Sequence, residues 1–211
     1  TIYGQTLLSE VAHTENFNAD SDLDGFADGY TDSDELSAEL VDKEQRVYAT
    51  QITADQALIF VPETIGNKSF EDKLIANHKY LVYLEGKANA AGVLDAILTV
   101  TNGVTTVTTD PWTESDTDFT RRFLTFTPET TADWQLKVVA DYVASTPFDY
   151  TFKNLNIIDL TNLGELSAPM QEVLGENYWH DLTDEQLEEY FDAVGHIDVV
   201  KAVGYRWDEG S

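Results

Sequence analysis

The 211-residue sequence predicts an all-β fold, an antiparallel β-sandwich over about residues 10–160, and three observations carry that reading. From residue 37 to residue 160, short runs rich in Val, Ile, Thr, Tyr and Phe alternate with turn signals; such residues suit a pleated, half-buried surface. Asn102-Gly103 separates two of these runs and tolerates the positive φ values that a tight two-residue hairpin turn demands. No helical pattern alternates with the strands, which argues against a parallel α/β sheet.

The expected strands, in order, are Ser37–Val41, Arg46–Ile52, Ala57–Val61, Lys79–Lys87, Leu94–Thr101, Val104–Thr108, Phe119–Phe126, Trp134–Tyr142 and Tyr150–Ile158. Residues 79–85 are largely apolar on both faces, as an interior strand would be. In the run from Trp134, residues Trp134, Leu136 and Val138 share one face and Gln135 and Lys137 the other. The stretch 1–36 is polar and turn-rich. After the last strand, residues 161–211 form a second region, read as a helical docking segment. There Thr183 and Gln186 make a capping box, and Leu187, Tyr190, Phe191 and Val194 recur at helical spacing on one apolar stripe. Asp184, Glu185, Glu188 and Glu189 fall off the stripe, on a solvated face.

Charge and composition narrow the function. With 39 acidic and 12 basic residues the net charge is −27, so nucleic acid and anionic membrane surfaces are not expected partners. No run reaches the roughly 18 apolar residues of a membrane span. Cysteine is absent, which excludes disulfides, thiolate metal sites and cysteine nucleophiles. The chain opens on Thr1 rather than Met and shows no secretory leader pattern, and is expected to be a fragment or a processed product.

The segment with the most chemistry runs from Asp20 to Asp28. Asp20, Asp22 and Asp24 alternate, Gly25 follows, and Asp28 completes four carboxylates. Ca²⁺ takes six to eight oxygen ligands, and carboxylates this crowded repel one another unless a cation sits among them. The expected metal set is Asp20, Asp22, Asp24 and Asp28 with the Phe26 carbonyl, and Ca²⁺ as the ion. A solvated acidic turn is the alternative.

Catalytic signals are thin. His13, His78, His180 and His196 fall at no metal-ligand spacing, and there is no nucleophile elbow, phosphate-cradling glycine loop or dinucleotide fingerprint,. The expectation is therefore binding or assembly without turnover. Aromatic residues are the other functional signal: 10 Tyr, 10 Phe and 4 Trp offer flat faces that stack on sugar rings. Tyr30, Tyr48, Trp112 and Trp134 stand out. Trp112, after Asp110-Pro111, is the best candidate for an exposed stacking face, and Tyr30 is the second ligand-binding candidate, whereas Trp134 and Tyr83 read as core.

Three stretches carry a resemblance. Asn16-Phe17-Asn18 followed by Asp24-Gly25-Phe26-Ala27-Asp28-Gly29-Tyr30 resembles the opening of jelly-roll carbohydrate-binding modules, with Tyr30 in place of the usual Trp. His78–Leu84 resembles the aromatic strand of the same modules, with Asn77 where they have glycine. Asn154–Thr161 is similar to the closing strand of sandwich domains in phage tail and virion proteins, where a short acidic helical segment commonly follows. Together these span most of residues 10–195. The resemblance implies a jelly-roll β-sandwich acting as a structural or adhesion module of a phage tail, baseplate or fibre. Its expected setting is the virion or the extracellular space. Its expected partners are other virion subunits, further copies of itself in a homo-oligomer, or a bacterial surface glycan. The alternative is a carbohydrate-binding module of a secreted multidomain enzyme or surface protein.

Overall fold

The structure, a computed structural model, describes residue 25 and residues 31–32, 35–42, 44–59 and 74–190. Ten strands form two five-stranded antiparallel sheets: β1 (Thr31–Asp32), β2 (Ser37–Val41), β3 (Glu44–Ala49), β4 (Gln56–Ile59), β5 (Tyr80–Ala88), β6 (Ala96–Thr101), β7 (Thr106–Thr108), β8 (Thr120–Phe126), β9 (Gln135–Ala140) and β10 (Phe148–Asp159). The first sheet has the order β1-β4-β9-β6-β7 and the second β2-β3-β10-β5-β8. Consecutive strands repeatedly cross between the sheets, as in a jelly-roll sandwich. The nine expected strands are all present, β2 with the expected ends and the other eight with shifted ends, and β1 is an addition.

The sheets face each other across one core. The second sheet contributes Val47, Ala49, Tyr80, Val82, Leu84, Leu124, Phe126, Phe148, Tyr150 and Phe152; the first contributes Ala96, Leu98, Val100, Leu136 and Val138. Alternation sets these faces, and β10 breaks it once. Its register against β5 shifts between Lys153 and Asn156, and Asn154 sits at φ 54. This bulge reverses parity, so Phe148, Tyr150 and Phe152 before it and Leu155 and Ile157 after it all point into the core.

The Asn102-Gly103 hairpin exists but is looser than a two-residue turn. Thr101 pairs with Thr106, leaving a four-residue loop in which the Asn102 side chain accepts from the N–H groups of Val104 and Thr105 at 3.0 and 2.7 Å. The side chain thus does the work expected of the backbone.

A second core lies on the outer face of the second sheet. Leu81, Tyr83 and Ile158 are covered there by Leu160, Leu166, Trp179, Leu182 and Leu187, with Phe123, Met170, Leu174 and Tyr190 packed alongside. This explains why β5 is apolar on both faces. The covering segment comprises α1 (Ala168–Leu174), a 3-10 turn at Trp179–Asp181, and α2, helical from 184 to the last described residue, 190. The capping box is formed: Thr183 N–H donates to Gln186 Oε1 at 2.9 Å, and Gln186 N–H to Thr183 Oγ1 at 3.2 Å. Leu187 is 1% exposed. Phe191 and Val194 lie outside the described residues, and α1 carried no clear signal in the sequence because none of its residues is fully buried.

Candidate functional site

The covering segment occupies only one end of the outer face of the second sheet. At the other end the side chains of five adjacent strands remain partly exposed: Glu39 from β2, Glu44, Arg46 and Tyr48 from β3, Asp149 and Lys153 from β10, Glu85 and Lys87 from β5, and Arg121 from β8. Strand register aligns them, because Thr151 stands between Arg46 and Lys87 and Lys153 stands opposite Glu85. Four inter-strand spacings make this open face about 19 Å wide. Concavities line it, one bordered by Glu39, Val41, Glu44, Arg46 and Thr151 and another by Lys87, Asn89, Ala91, Glu114 and Thr117.

The polar groups at its centre are held by one another. Arg46 grips Asp149 with two parallel bonds, Nε to Oδ1 at 2.9 Å and a terminal nitrogen to Oδ2 at 2.8 Å, the paired geometry that fixes a guanidinium. Arg46 also reaches Glu39 at 3.3 Å. The Asn89 amide donates to Asp149 Oδ1 at 2.8 Å and accepts from Thr151 Oγ1 at 3.1 Å. Burial pushes the Asp149 carboxyl up, but the hydrogen bonds from Arg46 and Asn89 and the Arg46 charge outweigh it, and the net shift is downward. The carboxylate is therefore ionised and fixed, an acceptor for hydroxyl groups.

Two aromatic rings flank this network. Tyr48, half-buried, lies under the Arg46 guanidinium, 4.7 Å from ring centre to carbon. Phe119, which leads into β8, carries two ammonium groups, Lys153 Nζ at 3.7 Å and Lys87 Nζ at 4.5 Å from its ring centre. Tyr48 was singled out in the sequence. Phe119, Arg46, Asp149 and Asn89 were not, because only the strand register brings them to one face.

Trp112 corrects the sequence reading. It is fully buried. After Pro111 the chain folds back against Ala96, exchanging two backbone hydrogen bonds of 2.8 and 3.0 Å, and this turns the indole inward. The ring meets Phe152 edge-on at 5.5 Å, and its N–H donates to the Thr120 carbonyl at 2.9 Å. Such a ring offers no face to a ligand. Trp134 is core, as expected, with its N–H donated to the Thr130 carbonyl. Tyr83 is buried too, but in the second core.

Tyr30 and the expected calcium ligands Asp20, Asp22, Asp24, Phe26 and Asp28 lie outside the described residues. Gly25, at the centre of that segment, is described. It has φ +91, and its carbonyl accepts from the buried Gln45 side chain at 2.8 Å, which ties Gly25 to β3. Among the described residues no group of three or more acidic or His side chains is placed to hold a metal.

No family model matches the sequence, and no curated protein matches it either. Solved structures are similar in fold. An arabinose-bound α-L-arabinofuranosidase, MgGH51, superposes with a TM-score of 0.50 and 14% identity over 74% of this chain and 26% of that one. The CBM22-1 xylan-binding domain of Paenibacillus barcinonensis Xyn10C gives 0.48 and 14% over 75% of this chain and 97% of that one. The enzymatically active domain of bacteriophage CBA120 tailspike protein 4 gives 0.46 and 7% over 69% and 20%. This chain spans 26% of the arabinofuranosidase and 20% of the tailspike domain. At these identities the likeness is one of fold.

Proposed function

We propose that the chain is a carbohydrate-binding module and that the open end of the second sheet's outer face receives the glycan. One observation carries this reading: on this face two partly exposed rings, Tyr48 and Phe119, bracket hydrogen-bonding groups that are already fixed in place. Rings stack on the apolar faces of sugars, and prefixed polar groups bind hydroxyls without a further ordering cost. Binding occurs without turnover.

The test is affinity electrophoresis or calorimetry on a polysaccharide panel. Tyr48→Ala is expected to weaken binding roughly two- to tenfold, while Trp112→Phe leaves affinity unchanged in whatever fraction stays folded. Undiminished binding by Tyr48→Ala removes this face from the reading, and release of reducing ends would overturn the absence of turnover.

The setting we propose first is a larger secreted enzyme or surface protein. A phage virion is the second reading. It is favoured by one feature, the closing strand β10 being followed by a short helical segment, as the resemblance implies. Leu166, Trp179, Leu182 and Leu187 of that segment are turned onto the chain's own sheet, so these four are not free to dock a neighbouring subunit. Sedimentation separates the two readings: a monomer fits a tethered module, and a stable symmetric oligomer fits a fibre or tail.

A further inference from the structure

We propose that the glycan bound on this face is acidic, its carboxylate or sulfate ester received between Lys87 and Lys153 beside the Phe119 ring. This inference rests on the glycan-binding reading above and deepens it.

The argument is one of charge placement. The described Lys and Arg residues are Arg46, Lys79, Lys87, Arg121, Arg122, Lys137 and Lys153. Four of them, Arg46, Lys87, Arg121 and Lys153, stand together on this face. In a chain with 39 acids and 12 bases, a cluster of cations is expected to meet acidic neighbours. Arg46 is, by Asp149 and Glu39. The Phe119 corner is different.

Lys87 has no carboxylate partner among the described residues; its ammonium lies over the ring. Lys153 has one, Glu44, at the long distance of 3.6 Å between partly exposed side chains, a weak pair in water. Glu85, directly opposite Lys153 in the register, accepts from the neutral Asn154 amide at 3.0 Å. Two ammonium groups thus lie within 4.5 Å of one ring centre, and an anion seated beside that ring is attracted by both.

The ring polarises that corner by drawing the cations to its face and leaves their remaining N–H donors for a ligand oxyanion. The large negative charge elsewhere does not forbid this, because fields from remote exposed acids fade over about 8 Å at physiological ionic strength. The hollow beside Lys87, lined by Asn89, Ala91, Glu114 and Thr117, gives the substituent room, and the Glu114 carboxylate in its wall accepts from the Gly92 N–H.

The experiment uses matched polysaccharides: polygalacturonate and a glucuronic-acid-bearing xylan, each against its carboxyl-reduced form, and chondroitin sulfate against its desulfated form. The acidic member of at least one pair is expected to bind roughly fivefold more tightly, with the preference shrinking as salt is added. Preference in a carboxylate pair assigns a uronate, and preference only in the sulfate pair assigns a sulfate ester. Lys87→Gln with Lys153→Gln is expected to erase the preference while neutral binding persists, and a melting curve checks that the double variant is folded. Equal binding of acidic and neutral members overturns the inference and leaves the glycan site standing. Binding of no member removes the site itself, and the inference with it.

Discussion

A Cβ on Gly86 would stand 2.8 Å from Cε2 of Trp112 and 3.0 Å from the Phe152 ring. Strand β5 is bare on its inner side at the point where the indole lies. Gly86→Ala is therefore expected to destabilise by roughly 1–3 kcal/mol, the usual cost of overpacking a core. At roughly 2–4 °C per kcal/mol for a chain of this size, the melting point falls by several degrees. Trp emission should shift as the ring is displaced. An unchanged melting point would show that the indole has room the packing does not reveal.

The second core makes its own prediction. Leu187 is buried between α2 and the sheet, among Leu81, Tyr83, Trp179 and Leu182. Leu187→Ala is expected to cost roughly 2–5 kcal/mol in urea unfolding, and the exposed Glu188→Ala less than about 0.5 kcal/mol. Equal, small effects would mean that the covering segment opens easily and that the sheet face beneath it is accessible.

Much of the fold was legible because burial on a sheet writes itself into alternation. Trp134, Leu136 and Val138 share a face in the sequence and in the core. Residues 79–85 read as apolar on both sides because two different cores claim them. Trp112 was misread for a physical reason: a residue after Asp-Pro looks like a surface loop, and only a two-bond bridge to a distant strand turns it inward. The open face was illegible for a related reason. Arg46 and Asp149 are 103 positions apart, and the β10 bulge at Asn154, which decides which side chains reach that face, has no sequence signature beyond Asn's tolerance of positive φ.

Gly25, within the acidic segment, sits against β2 and β3 through Ala38 and the buried Gln45. A Cβ there would collide with the Ala38 carbonyl, standing 2.8 Å from its carbon, and φ is +91. Gly25→Ala is expected to cost roughly 2–4 kcal/mol, combining backbone strain and steric conflict. A calcium ion held by Asp20, Asp22, Asp24, Asp28 and the Phe26 carbonyl remains our proposal for the same segment. An ion that binds only the folded chain adds about 2.7 kcal/mol at a hundredfold excess over its dissociation constant. Melting curves with calcium and with chelator should then separate, and coincident midpoints would reject the ion.

Acid should unfold the chain partly through Asp116. Burial pushes this carboxyl up, but hydrogen bonds from the Thr113 N–H and from Thr120, the Arg122 charge and the Thr113 hydroxyl outweigh it, leaving it below the ordinary carboxylate value. The folded chain gives up this proton more readily than the unfolded chain. The resulting stabilisation is whole above the unfolded value of about 3.9 and is lost as pH falls through the depressed folded value. Asp95 runs the other way. Burial and the neighbouring Asp141, Glu114 and Asp116 charges raise its carboxyl, so its ionisation costs stability once pH rises above about 3.9. Asp116→Asn removes both Asp116's contribution and part of the repulsion on Asp95. Because Asp116 accepts from Thr113, Thr120 and Arg122 at once, loss of its charge should dominate. Urea midpoints of wild type and variant are expected to differ at pH 7 and to converge below about pH 4. A gap that persists into acid would assign Asp116 a packing role independent of its charge.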